Sequence, residues 1–101
     1  MIKLLTLPRI TVSTTAQAVA SGQKIGVAAT LYAAPTNAGA VYIGDSTVNT
    51  TDGIPLPPGA SMSVEALTDP RSGAELRVND LYCVGTNTDL LYVLYQKRVV
   101  T

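Results

Sequence analysis

Short runs of Val, Ile, Leu, Thr and Tyr recur along this chain, and each is closed within a few residues by Gly, Pro, Asn or Asp. No window sustains the apolar spacing of an amphipathic helix with caps at its ends. β-Branched and aromatic residues held between turn formers are the pattern of pleated strands, so an all-β fold is expected. Strands are expected over residues 2–7, 9–13, 17–20, 25–33, 40–44, 62–66, 81–85 and 90–97. About eight short strands in one antiparallel unit predict a two-sheet β-sandwich or a jelly roll.

Individual runs sharpen the expectation. Ile25, Val27, Ala29 and Leu31 alternate onto one face, as in a half-buried strand. The other face carries Gly26, Ala28, Thr30 and Tyr32, mostly small, which suits either a neighbouring subunit or a second packed sheet. Residues 90–95 are apolar on both faces, so that strand should be central or covered. Five turn-forming residues, Gly85 to Asp89, separate it from the run at 81–84 and read as a hairpin loop. Long surface loops are expected at 45–59, where Pro55, Pro57 and Pro58 interrupt ladder bonding, and at 68–73. Asp52-Gly53 reads as a tight turn with Gly53 at positive φ.

With 101 residues and 47% hydrophobic content there is room for one core, hence one domain over 1–101, with possible terminal arms at 1–8 and 97–101. Phe and Trp are absent, so core contacts must be mainly aliphatic. Seven basic residues balance seven acidic ones and the charged fraction is only 14%, where a soluble domain carries about 25%. A charge-poor, neutral chain suits a protein held in an assembly. The lack of a basic cluster argues against nucleic acid, and no stretch approaches the ~20 apolar residues of a membrane helix. Pro8 and Arg9 interrupt the apolar start before a signal-peptide core could form, so a cytoplasmic site of synthesis and assembly is expected.

Little chemistry is available. No histidine occurs, which excludes histidine triads and histidine metal sites. Most of the carboxylates sit beside turn formers, so no catalytic residue, no cofactor and no metal site is expected. Asp45, Ser46, Asn49 and Asp52 cluster as oxygen donors, but at no calcium-loop spacing, and Asx-turns account for them. Cys83, the lone cysteine, lies in an apolar run and reads as a buried, inert thiol. The five tyrosines all fall in expected strands, as core residues with hydroxyls at the sheet rim or as an interface.

Residues 37–46, Asn-Ala-Gly-Ala-Val-Tyr-Ile-Gly-Asp-Ser, continue through Gly53-Ile54-Pro55-Leu56-Pro57-Pro58-Gly59 to Ser61-Met62-Ser63-Val64-Glu65 and the pair around 80–85 and 93–95. Over roughly residues 24–96 this pattern resembles small virion proteins of tailed bacteriophages, β-sandwich or jelly-roll subunits that decorate heads or occur in tails and fibres, commonly as trimers. Its turn residues have physical roles: Gly44 for a sharp exit from a strand, Asp45 and Ser46 to cap the turn, Gly53 for the tight turn, and Pro57, Pro58 and Gly59 to aim the chain into the next strand. The insertion at 68–75 departs from the simplest form of the pattern.

The resemblance implies a non-enzymatic virion component, foremost a capsid decoration or cement protein, bound to the major capsid protein or other virion proteins and self-associated as a trimer. Alternatives are a tail, baseplate, collar or head-to-tail connecting subunit, and a carbohydrate- or receptor-binding module. Expected contact residues are Ile2, Leu4, Leu5 and Leu7 of the apolar N-terminal run, Tyr32, and Val99 and Val100 beyond the last strand. Without charge runs for long-range steering, contacts should rest on apolar burial and backbone pairing.

Overall fold

The computed structural model describes residues 2–21, 25–26, 28–65 and 76–98. Among them eleven strands form: β1 (Ile2–Thr6), β2 (Ile10–Thr11), β3 (Gln17–Ala18), β4 (Ile25–Gly26), β5 (Ala28–Ala33), β6 (Val41–Gly44), β7 (Ile54–Leu56), β8 (Ser61–Glu65), β9 (Leu76–Arg77), β10 (Tyr82–Val84) and β11 (Leu90–Arg98). A single 3-10 turn, Val78–Asp80, precedes β10. No helix among the described residues is long and apolar enough to cross a membrane.

The strands pair in a nested order. β1 pairs with β11, β3 with β10, β5 with β8 and β6 with β7, all antiparallel. Lateral pairing of β11 with β5 and of β10 with β6 then closes two sheets. The long sheet runs β1-β11-β5-β8 and the short sheet β3-β10-β6-β7. First with last, inward to the central hairpin, is a long antiparallel ribbon rolled into two layers, which makes the fold a jelly roll. β2 continues β1 along β11 beyond the break at Pro8, with the Leu7 amide donating to the Val93 carbonyl at 3.1 Å across it. β4 and β9 form a separate two-stranded ladder.

The core lies between the layers, for the reason read from alternation. In β5, Ala29, Leu31 and Ala33 are buried while Tyr32 is exposed. β11 is central in the long sheet and turns Leu91, Val93 and Tyr95 inward. Val41, Ile43 and Cys83 meet them from the short sheet. Fully burying an aliphatic side chain contributes about 1.5–3 kcal/mol, so Leu31 and Leu91, at 0% exposure, are among the strongest single contributors.

Three expectations need correction. The run at 25–33 is divided between β4 and β5. Residues Ile54–Leu56, expected in a loop, form β7. Proline is tolerated there because β7 is a sheet edge, and Pro55, which has no N–H, sits opposite Tyr42 at a position where a lost ladder bond costs little. Finally, β10 and β11 are no hairpin, since they belong to different sheets and residues 85–89 carry the chain across the core between them.

That crossing is held from both sides. Gly85 N–H donates to the Ser13 carbonyl, Thr88 N–H to the Val12 carbonyl, and Val12 N–H to the Asp89 carbonyl at 2.7 Å. Asp89 is the one buried charged side chain among the described residues, and its carboxylate accepts from Ala38 N–H (2.9 Å) and Gly39 N–H (3.1 Å). Asn37 acts like a strand partner for Leu90, accepting from its N–H at 2.8 Å and donating to its carbonyl at 2.9 Å. Thr88 takes φ 74°, a left-handed conformation that strains a β-branched residue by roughly 1–2 kcal/mol. Every buried side-chain N or O atom among the described residues has a hydrogen-bond partner.

Candidate interaction surfaces

The turn residues fall into two groups. After β6, the Asp45 carboxylate accepts from the Thr47 hydroxyl (2.6 Å) and the Thr47 N–H (2.8 Å), and the Val48 N–H donates to the Asp45 carbonyl. These bonds hold the Asp45 carboxyl below the usual carboxylate range. Ser46 is exposed in the same turn. Asn49 Oδ1 then accepts from the Thr51 and Asp52 amides, both at 2.8 Å. Asp45 and Asn49 are thus engaged in Asx-turns, the ordinary role expected of them.

These turns place Val48, 8% exposed, on the outer face of the short sheet. A Cβ at Gly44 would lie 2.9 Å from Val48 Cγ2, and one at Gly53 would lie 2.7 Å from both Val48 Cγ2 and Tyr42 Cβ. Gly53 therefore corrects the expectation of positive φ: among the described glycines only Gly59 has it, and Gly53 is required by close packing instead. Pro57, Pro58 and Gly59 form a tight turn in which Ala60 N–H donates to the Pro57 carbonyl and Gly59 takes φ 81°, the type II pattern with proline after the first residue. Gly59 N–H donates to the Ala33 carbonyl and Ala33 N–H to the Ala60 carbonyl, so this turn extends the β5–β8 ladder.

The expected contact residues separate. Leu5 and Leu7 are half-buried against the core, and Leu5 lies opposite the buried Tyr95. Leu4 is 59% exposed. The segment read as an N-terminal arm is β1, paired over five residues with β11, because Leu5 and Leu7 find their apolar neighbours within the chain. Ile2 belongs to that strand; Lys97 and Arg98, assigned to a C-terminal arm, end β11, while Val99 and Val100 lie outside the described residues, as do the loop at 68–73 and the insertion at 68–75.

Tyr32 does reach the surface, and it has company. It pairs across β5 and β11 with Tyr92, their ring centroids 6.1 Å apart, and both rings are more than a third exposed. The next rows outward on the same face put Leu94 opposite Thr30 and Gln96 opposite Ala28, with Leu4 beside Gln96 and Ser63 beside Thr30. Charged positions lie at the margins of this face: Glu65 ends edge strand β8, the register places Arg98 at the end of β11 in the same alternation as Tyr92 and Leu94, and Arg9 is exposed at the break before β2. Tyr95 alone of the five tyrosines belongs to the buried core. The sequence signal for Tyr92 was present in the two-faced apolar run at 90–95, but its pairing with Tyr32 depends on cross-strand register, which the run does not encode by itself.

Reactive chemistry is sparse among the described residues. Cys83 is fully buried, and burial pushes its thiol up to about 11, against a smaller opposing contribution from a Gln17 hydrogen bond. That is an inert thiol. No three His, Cys, Asp or Glu side chains lie together to hold a metal. A cleft of about 270 Å³ opens where the edge strand breaks at Pro8, lined by Ile10, Gln17, Val19 and their neighbours, with Arg9 as its cation. No family model matches the chain, and no curated protein and no solved structure matches it either.

Proposed function

We propose that this chain is a non-enzymatic structural protein of a bacteriophage particle, foremost a capsid decoration protein that binds the shell as a homo-oligomer, with a trimer as the expected form. The observation that carries the reading is a finished jelly-roll core beside one open sheet face whose central positions, Tyr32, Tyr92, Leu94 and Thr30, are uncharged. In this reading the face is a contact surface, and nothing covers it among the described residues. The pattern at residues 37–59 supports the same reading, because its members have structural tasks: Asn37, Ala38 and Gly39 bind the 89–90 crossing, Asp45 caps a turn, and Gly59 closes one. Jelly rolls serve capsids, lectins and cupins alike, so the fold by itself does not choose among them.

In this reading the protein assembles in the host cytoplasm and resides in the virion. The test is to purify particles, quantify the chain by mass spectrometry and place it by electron microscopy. On the order of hundreds of copies on the head supports decoration; six to a few dozen at the tail, collar or baseplate moves the chain to the connecting-subunit reading. Absence from particles overturns both. The exposed tyrosine pair also favours a second reading, a glycan-binding module, and a reproducible saccharide hit on a glycan array that is lost in Tyr92→Ala would replace the structural role.

A further inference from the structure

We propose that the open face of the long sheet, centred on Tyr32 and Tyr92, is where copies of this chain pack against one another. The inference rests on the assembly reading above and adds the surface and its occupant.

Charge selects the occupant. Around any symmetry axis the images of one residue approach each other, so a charge near the centre of a self-packing face meets its like. A face built for a charged partner would instead carry the complementary charge. Here the central positions are Tyr92, Tyr32, Leu94 and Thr30, all uncharged, and charge stands at the margins, with Glu65 at the end of β8, Arg98 at the end of β11 and Arg9 at the break in the edge strand. Lys3 and Lys97 are exposed and lie directly opposite each other at the end of the β1–β11 ladder, on the other side of the sheet, an arrangement that self-packing would make worse.

Shape points the same way. The best complement of a pleated, twisted sheet is another such sheet about 10 Å away. The tyrosines lie on β11 and β5, the two central strands, so an image of this face brings tyrosine rings onto tyrosine rings. Area then sets the strength. Four strands at about 4.8 Å spacing and about five residues in length give a patch on the order of 300–400 Å². That is below the roughly 800 Å² per partner of a stable interface, so the isolated chain associates weakly, in the micromolar range or above, and gains permanence when the particle holds several copies together.

The full chain is to be followed by sedimentation velocity from low micromolar to about millimolar concentration. The expected result is reversible self-association, weakened at least tenfold in Tyr92→Glu and equally in Tyr92→Lys, and restored when the two variants are mixed in equal amounts. Ile54→Glu, on the short sheet, should change nothing. Circular dichroism checks folding, and the pair Thr30→Glu and Thr30→Lys repeats the exchange should the Tyr92 variants not fold. A parent chain that stays monomeric, association indifferent to these charges, or a mixture that recovers nothing overturns the proposal. Should the chain be monomeric yet lose particle attachment on Tyr92→Glu, the face belongs to a different protein and the proposal falls while the virion reading stands. Self-association restored by mixing, with no chain in purified particles, leaves the proposal standing and removes the virion reading.

Discussion

The two sheets finish their outer faces in opposite ways. Over the short sheet the chain returns between β6 and β7, and Val48 settles where Gly44 and Gly53 leave room beside Tyr42. Over the long sheet the outer residues remain accessible: Tyr32, Tyr92 and Leu4 all stand more than a third exposed. One face is covered within ten residues of chain by two Asx-turns and two glycines, and the other is left to whatever lies outside the chain. Local turn chemistry can therefore complete a sheet, and no such turn covers the long sheet among the described residues, the face to which the proposal assigns a second copy.

The largest effect that could break this comparison comes from placing the same change on both faces. Val48→Asp puts a carboxylate into a covered, apolar site and should cost about 3 kcal/mol of folding stability. Tyr92→Asp on the open face should cost less than about 1 kcal/mol when measured at a concentration too low for association. Urea unfolding of both variants compares them directly. Equal losses would mean that the two faces are equally covered in the folded chain.

A smaller effect distinguishes the two glycines by cause. Gly53→Ala forces a methyl against Tyr42, Val48 and the Asn49 carbonyl, and overpacking of this kind costs about 2 kcal/mol. Gly59→Ala meets nothing closer than 3.8 Å, so only its positive φ is at stake, at about 1 kcal/mol. Asparagine separates them further. It tolerates the left-handed region, so Gly59→Asn should be milder than Gly59→Ala, whereas Gly53→Asn should be no milder than Gly53→Ala. The reverse ranking in thermal melts would reinstate a φ requirement at Gly53.

These positions also show what could be read before any coordinates. The phase of Ala29 and Leu31 in β5 follows from alternation, and so does the outward placement of Tyr32. The two-faced apolar run at 90–95 told that β11 is central. That Pro57, Pro58 and Gly59 redirect the chain into the next strand was legible because proline and glycine act through their own backbones, while the turn type and the positive φ at Gly59 were not read. What stayed hidden depends on residues distant in sequence. Gly53 owes its identity to Val48 and Tyr42, β7 to pairing with β6 despite Pro55, and the 85–89 crossing to Asn37, Ala38 and Val12. A polar five-residue connection between apolar runs looks the same whether it turns within one sheet or arches to another. Of the candidate site, Tyr32 and Leu4 were legible, and the Tyr92 and Leu94 half of the face awaited the register of β11 on β5.

The smallest effect probes the covered face through its cap. Asp45 is fully exposed, and its carboxyl is held below the ordinary value of 3.8 first by the Thr47 hydroxyl and then by the Thr47 amide. In the unfolded chain neither bond is fixed, so the folded value lies below the unfolded one. A carboxyl depressed in this sense contributes stability that is fully present above the unfolded value and is lost as pH falls through the folded value. Asp45→Asn keeps an oxygen able to cap the turn but carries no charge, so the difference between parent and variant isolates the ionised group. Melting temperatures should show the parent slightly more stable from neutral pH down to about pH 5, with the gap narrowing below that and closing once Asp45 is protonated in the folded state. Thr47→Val removes the first of the two bonds and should reduce the gap at neutral pH. A gap that persists unchanged at the lowest pH would show that Asp45 acts through its shape and not its charge, and one that widens on acidification would reverse the assigned direction of the shift.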